Sequence, residues 1–495
     1  MNVVILILYT YALVSVSNGN IVIIVDENNP NVPKAIEFEP LNTTLETTDL
    51  NGYLDFEVKP CENFYLFSCG KWIKTQKNTS RIIQPSSLAN SNMNFLRFLD
   101  EFYRGKYNDK SRTVKNLHNL LMKCFQQPLT FFEDCQLEIL NFAHYAVSSV
   151  FLKKNKIKNE ENGDYNIVED MIKRIKEELR LIIDEKKDIF DEETRKHFLH
   201  KLNTMKFERN FDKYNVSNVE LMDDCYESIG INYNDRIENV IETIKNFKAL
   251  SDNDNDDLKS CRGKIFQLHK SMHQYVYGNA WYNPEENYFS INSDYLNEPS
   301  FSAYYPMSLN YGNLGYTIAH EILHAFDNNN YKYMPIGGNY FRKNATQFSI
   351  ENYEKKSDCF VKQYGMQKET MTNKSVNGSL TLSENIPDNG GLKIAHRAYM
   401  KYLQSIDGKD LVLDGFEKFT HEQLFFISVG RSECRYMEKK ELEELIENDP
   451  HTPAEIRTNV VLSNYKPFSK AFKCELNSKM NPENKCELWK TQLQN

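Results

Sequence analysis

The sequence predicts a mainly α-helical protein with a small β-sheet, and three observations carry that expectation. From about Ile167 to Phe207, the residues Ile172, Ile175, Leu179 and Ile182 recur every three or four positions, which places apolar side chains on one helix face. Leu314, Ile318, Ile322 and Phe326 repeat the stripe in a second helix, expected over about Asn313 to Asp327. Between these helices, Asn279-Ala280-Trp281-Tyr282 through Tyr288-Phe289-Ser290-Ile291 forms a sheet-like stretch.

The remaining elements follow in chain order. Asn18 to about Leu50 is polar with scattered prolines and reads as a flexible leader. Cys61 to Trp72 is a dense aromatic patch bracketed by cysteines, which suggests a packed and pinned segment. The Lys- and Glu-rich face of the 167–207 helical region reads as a solvated surface. Ser251 to Asp257 is an acidic linker loop without EF-hand spacing. A further helix should begin near Ser383 and run to about Gln404, because Pro387 is tolerated only in a first turn. The tail reads as loop-rich and holds three of the cysteines.

Composition narrows the class. The 495 residues suffice for two or three lobes, and 40% apolar with 26% charged residues is ordinary for a soluble globular protein. The net charge of −9 comes without any Lys/Arg-dense block, which argues against nucleic acid as a partner. Val3 to Ser17 is almost wholly apolar and is followed by small residues, the length of a signal-peptide core and too short for a spanning helix. Residues 1–17 therefore read as a secretory signal, with a short uncleaved anchor as the alternative and no stable membrane insertion expected elsewhere. Glycosylation acceptors at Asn42, Asn78, Asn215, Asn344, Asn373 and Asn377 agree with export. So do ten cysteines, an even number with no C-x-x-C spacing, which point to disulfides rather than a cysteine metal site.

The strongest chemical signal is His320-Glu321-Ile322-Leu323-His324. Histidines at i and i+4 project from one helix face, so both imidazoles can reach one zinc ion, with the intervening glutamate close enough to act on a water beside it. Zinc in a catalytic site needs a third protein ligand. Glu384, 60 residues beyond His324, is the candidate, and Asp388 one turn further on suits a carboxylate that holds a ligand histidine in its working tautomer.

With these residues in place, the chain resembles the neprilysin and endothelin-converting-enzyme family. The resemblance rests on Asn279 to Tyr282, Ser308-Leu-Asn-Tyr-Gly312, the histidine helix, Glu384 to Gly391, Pro60 to Trp72, and Met480 to Trp489. It implies a zincin-type, thermolysin-like catalytic domain holding one zinc ion on His320, His324 and Glu384. Glu321, His451 and Asp388 would form the catalytic set, with His451 stabilising the oxyanion. Asn279, the Ala280 carbonyl and Arg457 would hold the substrate backbone, and Asp327 would support a ligand histidine. The resemblance further implies the pairs Cys61–Cys474, Cys69–Cys434 and Cys359–Cys486. Cys225 and Cys261 remain outside the family pattern.

Two departures from that pattern matter. Positions that line the family's apolar primed-side pocket are here Tyr316, Thr317, Ser432 and Glu433. Cys124 and Cys135 look like the cysteines that flank the family's second helical lobe, yet only ten residues separate them, so that lobe should be largely deleted. The expected organisation is a signal peptide at 1–17, a leader at 18–50, a shortened and mostly helical N-terminal peptidase region at 51–265, and the zinc peptidase domain at 266–495. The expected activity is a secreted zinc metalloendopeptidase acting on peptide substrates, with Glu321 as general base toward a metal-activated water. A secreted binding protein that keeps the scaffold without turnover is the competing reading.

Overall fold

Helix Asp164–Glu185 shows how apolar spacing becomes packing: Val168, Met171, Ile172, Ile175, Leu179, Ile182 and Ile183 are all buried along one face. The 167–207 region is not one helix. It breaks after Glu185, restarts at Glu192–Thr204 with the Asp191 carboxylate capping the Thr194 amide, and ends in strand Lys206–Glu208.

The computed structural model describes residues 50–78, 87–209, 212–337 and 340–489, and, nearer the start, the backbones of strands Ile5–Tyr9, Ala12–Ser17 and Asn20–Val25. These three pair antiparallel in chain order. The rest of the stretches expected as signal and leader lies outside the described residues.

Two large hydrophobic cores form. One gathers Asp164–Glu185 and Glu192–Thr204 with helices Tyr316–Leu323, Leu382–Ser405, His421–Ser432 and Ala454–Asn464, closed by Leu488 and Trp489. The other gathers Met93–Tyr103, Arg112–Cys124, Leu129–Glu161, Val219–Ser228 and Ile237–Asn253, completed by Leu268, Met272 and Val276. Packing therefore crosses the chain-order boundary expected at 265/266, because helices 164–204 bury their apolar face against the C-terminal core.

A three-stranded sheet lies beside the first core. Lys206–Glu208 runs parallel to the central strand Tyr288–Ile291, which pairs antiparallel with the edge strand Ala280–Asn283. The chain is helical from Met307 to Phe326, passing through a wide turn at Tyr311–Gly315 before the regular helix Tyr316–Leu323. Leu314, Ile318, Ile322 and Phe326 are completely buried, as the stripe predicts. Helix Leu382–Ser405 packs directly on this segment. A Cβ on Gly391 would stand 3.0 Å from the His320 nitrogen and 3.2 Å from its Cα, so only glycine allows this approach.

Three expectations need correction. Pro387 lies in the second turn of its helix rather than the first, since the helix begins at Leu382; close packing against the histidine helix outweighs the missing amide. The tail carries four helices, His421–Ser432, Lys439–Asn448, Ala454–Asn464 and Lys466–Ala471, separated by loops and the strand Arg435–Met437, and is irregular after Ala471. The acidic stretch at 251–257 begins inside helix Ile237–Asn253, and Arg262 then pairs with Asp254 and Asp256.

All ten cysteines pair: Cys61–Cys474, Cys69–Cys434, Cys124–Cys135, Cys225–Cys261 and Cys359–Cys486. The Cys124–Cys135 bridge joins the end of helix Arg112–Cys124 to the start of Leu129–Glu161, leaving room for a turn and no lobe. Cys359–Cys486 closes a separation of 127 residues and holds the terminal segment on helix Gln347–Gly365. Replacing both of these cysteines by alanine should lower unfolding stability by about 2–5 kcal/mol, read from the denaturant midpoint. An unchanged midpoint would show that the bridge does not restrain the unfolded chain.

Asp294 offers a pH test of the fold. Its carboxyl is completely buried and accepts from the Asn94 and Asn297 side-chain amides through Oδ1, while Oδ2 has no aligned hydrogen bond among the described residues. Burial pushes it up to about 7, against the pull of Asn297, Asn94 and Lys158. A carboxyl whose pKa rises on folding holds its proton more tightly in the folded state. Stability therefore falls as pH climbs from the ordinary carboxyl value through about 7. Asp294→Asn, which never ionises, should raise the melting temperature at pH 8 and lose that advantage toward pH 5. An advantage independent of pH would contradict this account.

Candidate metal and catalytic site

The i,i+4 spacing delivers what helix geometry requires: the Nε2 atoms of His320 and His324 stand 3.0 Å apart. Glu384, in the first turn of the crossing helix, brings Oε2 to 3.2 Å from His320 Nε2 and 3.6 Å from His324 Nε2. Bonds of about 2.0–2.1 Å at tetrahedral angles would separate zinc ligands by roughly 3.3 Å, so the three atoms have the spacing of a zinc site. Glu384 Oε2 is buried without an aligned hydrogen bond although imidazole nitrogens surround it, as expected of a donor set built around a cation. The set of two imidazoles and one carboxylate fits a catalytic zinc, whose fourth position would fall to water or substrate.

Each histidine is held from behind. His324 Nδ1 lies 3.0 Å from Asp327 Oδ2, and His320 Nδ1 lies 2.8 Å from Asp388 Oδ1, in contact though not aligned as a hydrogen bond. With Nδ1 turned to a carboxylate, Nε2 is the nitrogen left for a metal. Asp388 is itself gripped by Arg457, whose Nε and Nη2 donate at 2.7 and 2.6 Å, and by the Tyr316 hydroxyl at 3.1 Å. Burial alone would raise the Asp388 carboxyl, but Arg457 and His320 overcome it and hold it well below the usual carboxylate range. Asp388 thus stays ionised, fully buried between the Arg457 guanidinium and the His320 ring.

Glu321 is buried beside the histidines and carries no hydrogen bond among the described residues. Burial raises its carboxyl above the ordinary value, against the attraction of His320 and His324. An unpartnered carboxylate with raised basicity is suited to accepting a proton. His451 points Nε2 at Glu384 Oε2 from 3.2 Å while its Nδ1 lies 2.8 Å from Asp449 Oδ1. Burial would lower the imidazole, yet Asp449 and Glu384 push it up to about 9. Its ring is nonetheless 44% exposed, so solvent screens part of that effect. Asn279 is half-buried just before the edge strand, its backbone tied to Asn292, and Ala280 begins that strand alongside the histidine helix.

Several supporting groups escape sequence reasoning. The buried Lys201 ammonium donates to the carbonyls of Ala325, Tyr333 and Asn330 at 2.7, 2.9 and 3.0 Å. It ties down the loop in which Asp327 also accepts from the Asn329 and Asn330 amides. A lysine on an amphipathic helix reads as solvent-facing, so no local signal marks it. Asp449 was findable, because an acid two residues before a candidate histidine is a natural ring partner. Thr452 donates to Asn385 at 2.8 Å, linking the His451 loop to the Glu384 helix.

The comparisons with known proteins agree with this geometry. Residues 279–488 match peptidase family M13. Over 72% of the chain it is 30% identical to neprilysin-1 of Caenorhabditis elegans and 31% identical to an endothelin-converting enzyme homolog of Locusta migratoria, covering 46% of each. It is 32% identical to human neprilysin over 66% of the chain and 42% of that protein. The chain thus spans less than half the length of these curated relatives. Among solved structures, the zinc metalloprotease Zmp1 of Mycobacterium tuberculosis shares the fold at a TM-score of 0.51 and 21% identity, over 74% of this chain and 52% of that one. On these matches and this arrangement of residues, the chain belongs to the neprilysin and endothelin-converting-enzyme family, peptidase family M13.

Proposed function

We propose that the chain is a zinc metalloendopeptidase that works outside the cell and hydrolyses peptide bonds with water. The observation that carries this reading is the convergence of His320, His324 and Glu384 beside the unpartnered carboxylate of Glu321. Zinc held there supplies Lewis acidity toward water and toward a peptide carbonyl. Glu321 takes the proton of the attacking water and passes it to the departing amine, so no covalent intermediate on a Ser or Cys is needed. His451, kept cationic by Asp449 and Glu384, faces the charge that develops on the carbonyl oxygen. Arg457 spends Nε and Nη2 on Asp388, which leaves Nη1 as the part of its fork for a substrate carbonyl. The edge strand Ala280–Asn283 and Asn279 receive the substrate backbone by strand addition.

Export is supported by five disulfides, which persist in oxidising compartments, and by exposed acceptor asparagines at 215, 373 and 377. No helix among the described residues is long and apolar enough to cross a membrane. The direct Cys124–Cys135 closure leaves no room for an inserted lobe at that point of the chain, from which we infer a more open cleft. Larger or partly unfolded chains should therefore gain access, and short peptides should bind more weakly for want of a second wall. The purified protein should cut peptides from about 8 to 80 residues in a chelator-sensitive manner, with cut sites mapped by mass spectrometry. Zinc binding without any cleavage would refute the peptidase reading, and a sharp cutoff at short lengths would refute the open cleft.

A further inference from the structure

Beside the metal cluster lies a carboxylate that the chemistry above does not use. Glu433 follows helix His421–Ser432, and its Oε2 is 3.7 Å from Arg457 Nη1, too long for a hydrogen bond. Its carboxylate has no other partner among the described residues, and the side chain is only 17% exposed. Arg457 cannot neutralise it fully, because Nε and Nη2 are already committed to the buried Asp388. Asp388, Glu433 and Arg457 together carry one net negative charge in a largely desolvated setting, which is costly unless a cation joins them.

The surroundings place this charge at the cleft. Thr317 and Glu321 share one face of the histidine helix at i and i+4. The Thr317 hydroxyl is 2.8 Å from the Tyr295 hydroxyl. Burial pushes the Tyr295 hydroxyl up to about 12, and it senses Glu433 and Glu321, which raise it further, and Arg457, which lowers it. Through Arg457 and Asp388, Glu433 is linked to His320, and with the Tyr295–Thr317 hydroxyl pair these groups make a polar wall of hydroxyls and charges. Such a wall gives a large apolar side chain little to pack against, and leaves its polar groups unpaired when one binds.

We propose that Glu433 makes the cleft select peptides with a lysine or arginine side chain next to the bond to be cleaved. This rests on the peptidase reading, and deepens it by naming the substrate class. A guanidinium or ammonium entering beside Glu433 completes the charge balance of the Asp388–Arg457–Glu433 row, which a neutral side chain cannot do.

The test reads binding rather than turnover. In zinc-loaded Glu321→Gln protein, affinities are measured for peptides in which one arginine or one norleucine is walked through a neutral, polar background. In one register arginine should bind roughly tenfold or more tightly than norleucine. The preference should vanish in Glu321→Gln/Glu433→Gln, persist weakened with Glu433→Asp, and turn toward glutamate-containing peptides with Glu433→Lys. Equal or tighter binding of norleucine in every register overturns the proposal. So does an arginine preference that survives Glu433→Gln, since some other group then carries it. Because cleavage by the unmodified protein is scored separately, a protein that prefers arginine yet never cuts refutes the peptidase reading and not this one.

Discussion

Glu321→Gln should abolish peptide hydrolysis, by roughly 10²–10⁴-fold, while the protein keeps its zinc. The reasoning is local. Glu321 sits one residue beyond His320 and three before His324, and contributes no atom to the group of three that converge. Its carboxylate is unpaired and its basicity is raised by burial, so it is held ready to take a proton. Glutamine has nearly the same shape, makes no new charge and leaves both histidines and Glu384 in place, but cannot accept the proton. Metal content, folding temperature and peptide affinity should therefore stay close to those of the unmodified protein. Residual turnover above about a tenth would place the base elsewhere.

Glu384→Gln should fail differently, losing both metal and activity. Glu384 Oε2 meets His320, His324 and His451 at 3.2, 3.6 and 3.2 Å, so three imidazoles converge on this one carboxylate oxygen. An amide oxygen is neutral and a poorer zinc ligand, and its –NH₂ would face nitrogens that need an acceptor or a metal. Outer carboxylates that merely orient a ligand histidine are typically worth 10–100-fold in metal affinity, so loss of a direct ligand should exceed about 100-fold. Zinc titration against a competing chelator measures this. Full retention of zinc affinity in Glu384→Gln would mean that the third ligand is another group.

How much of this was legible in the sequence depended on how local each cause is. The histidine pair and its apolar stripe follow from one helix's periodicity, and His320, His324, Leu314, Ile318, Ile322 and Phe326 occupy the faces expected of them. Glu384 and Asp388, an i,i+4 pair of acids, stand out in the sequence only beside the histidine pair, and the crossing helix brings both to His320 by a close contact that Gly391 permits. The disulfides Cys61–Cys474 and Cys69–Cys434 span 413 and 365 residues, so family resemblance, not spacing, identified them. Tertiary burial decided the rest. Lys201 reads as a surface lysine until it is found under the Asp327 loop, and Pro387 reads as a helix start until packing carries the helix past it. Glu433 was recognisable only as a polar residue where an apolar one was expected; its pairing with Arg457 required the fold.

The central claim, that His320, His324 and Glu384 hold a catalytic zinc ion, is tested most directly by metal analysis and zinc-edge absorption spectroscopy on the purified protein. The account predicts one zinc per chain, bound by two imidazole nitrogens at about 2.0–2.1 Å and by carboxylate oxygen, with no sulfur in the shell. In the His324→Phe protein that signal should disappear. A protein that binds no zinc, or a zinc spectrum unchanged by His324→Phe, would contradict it.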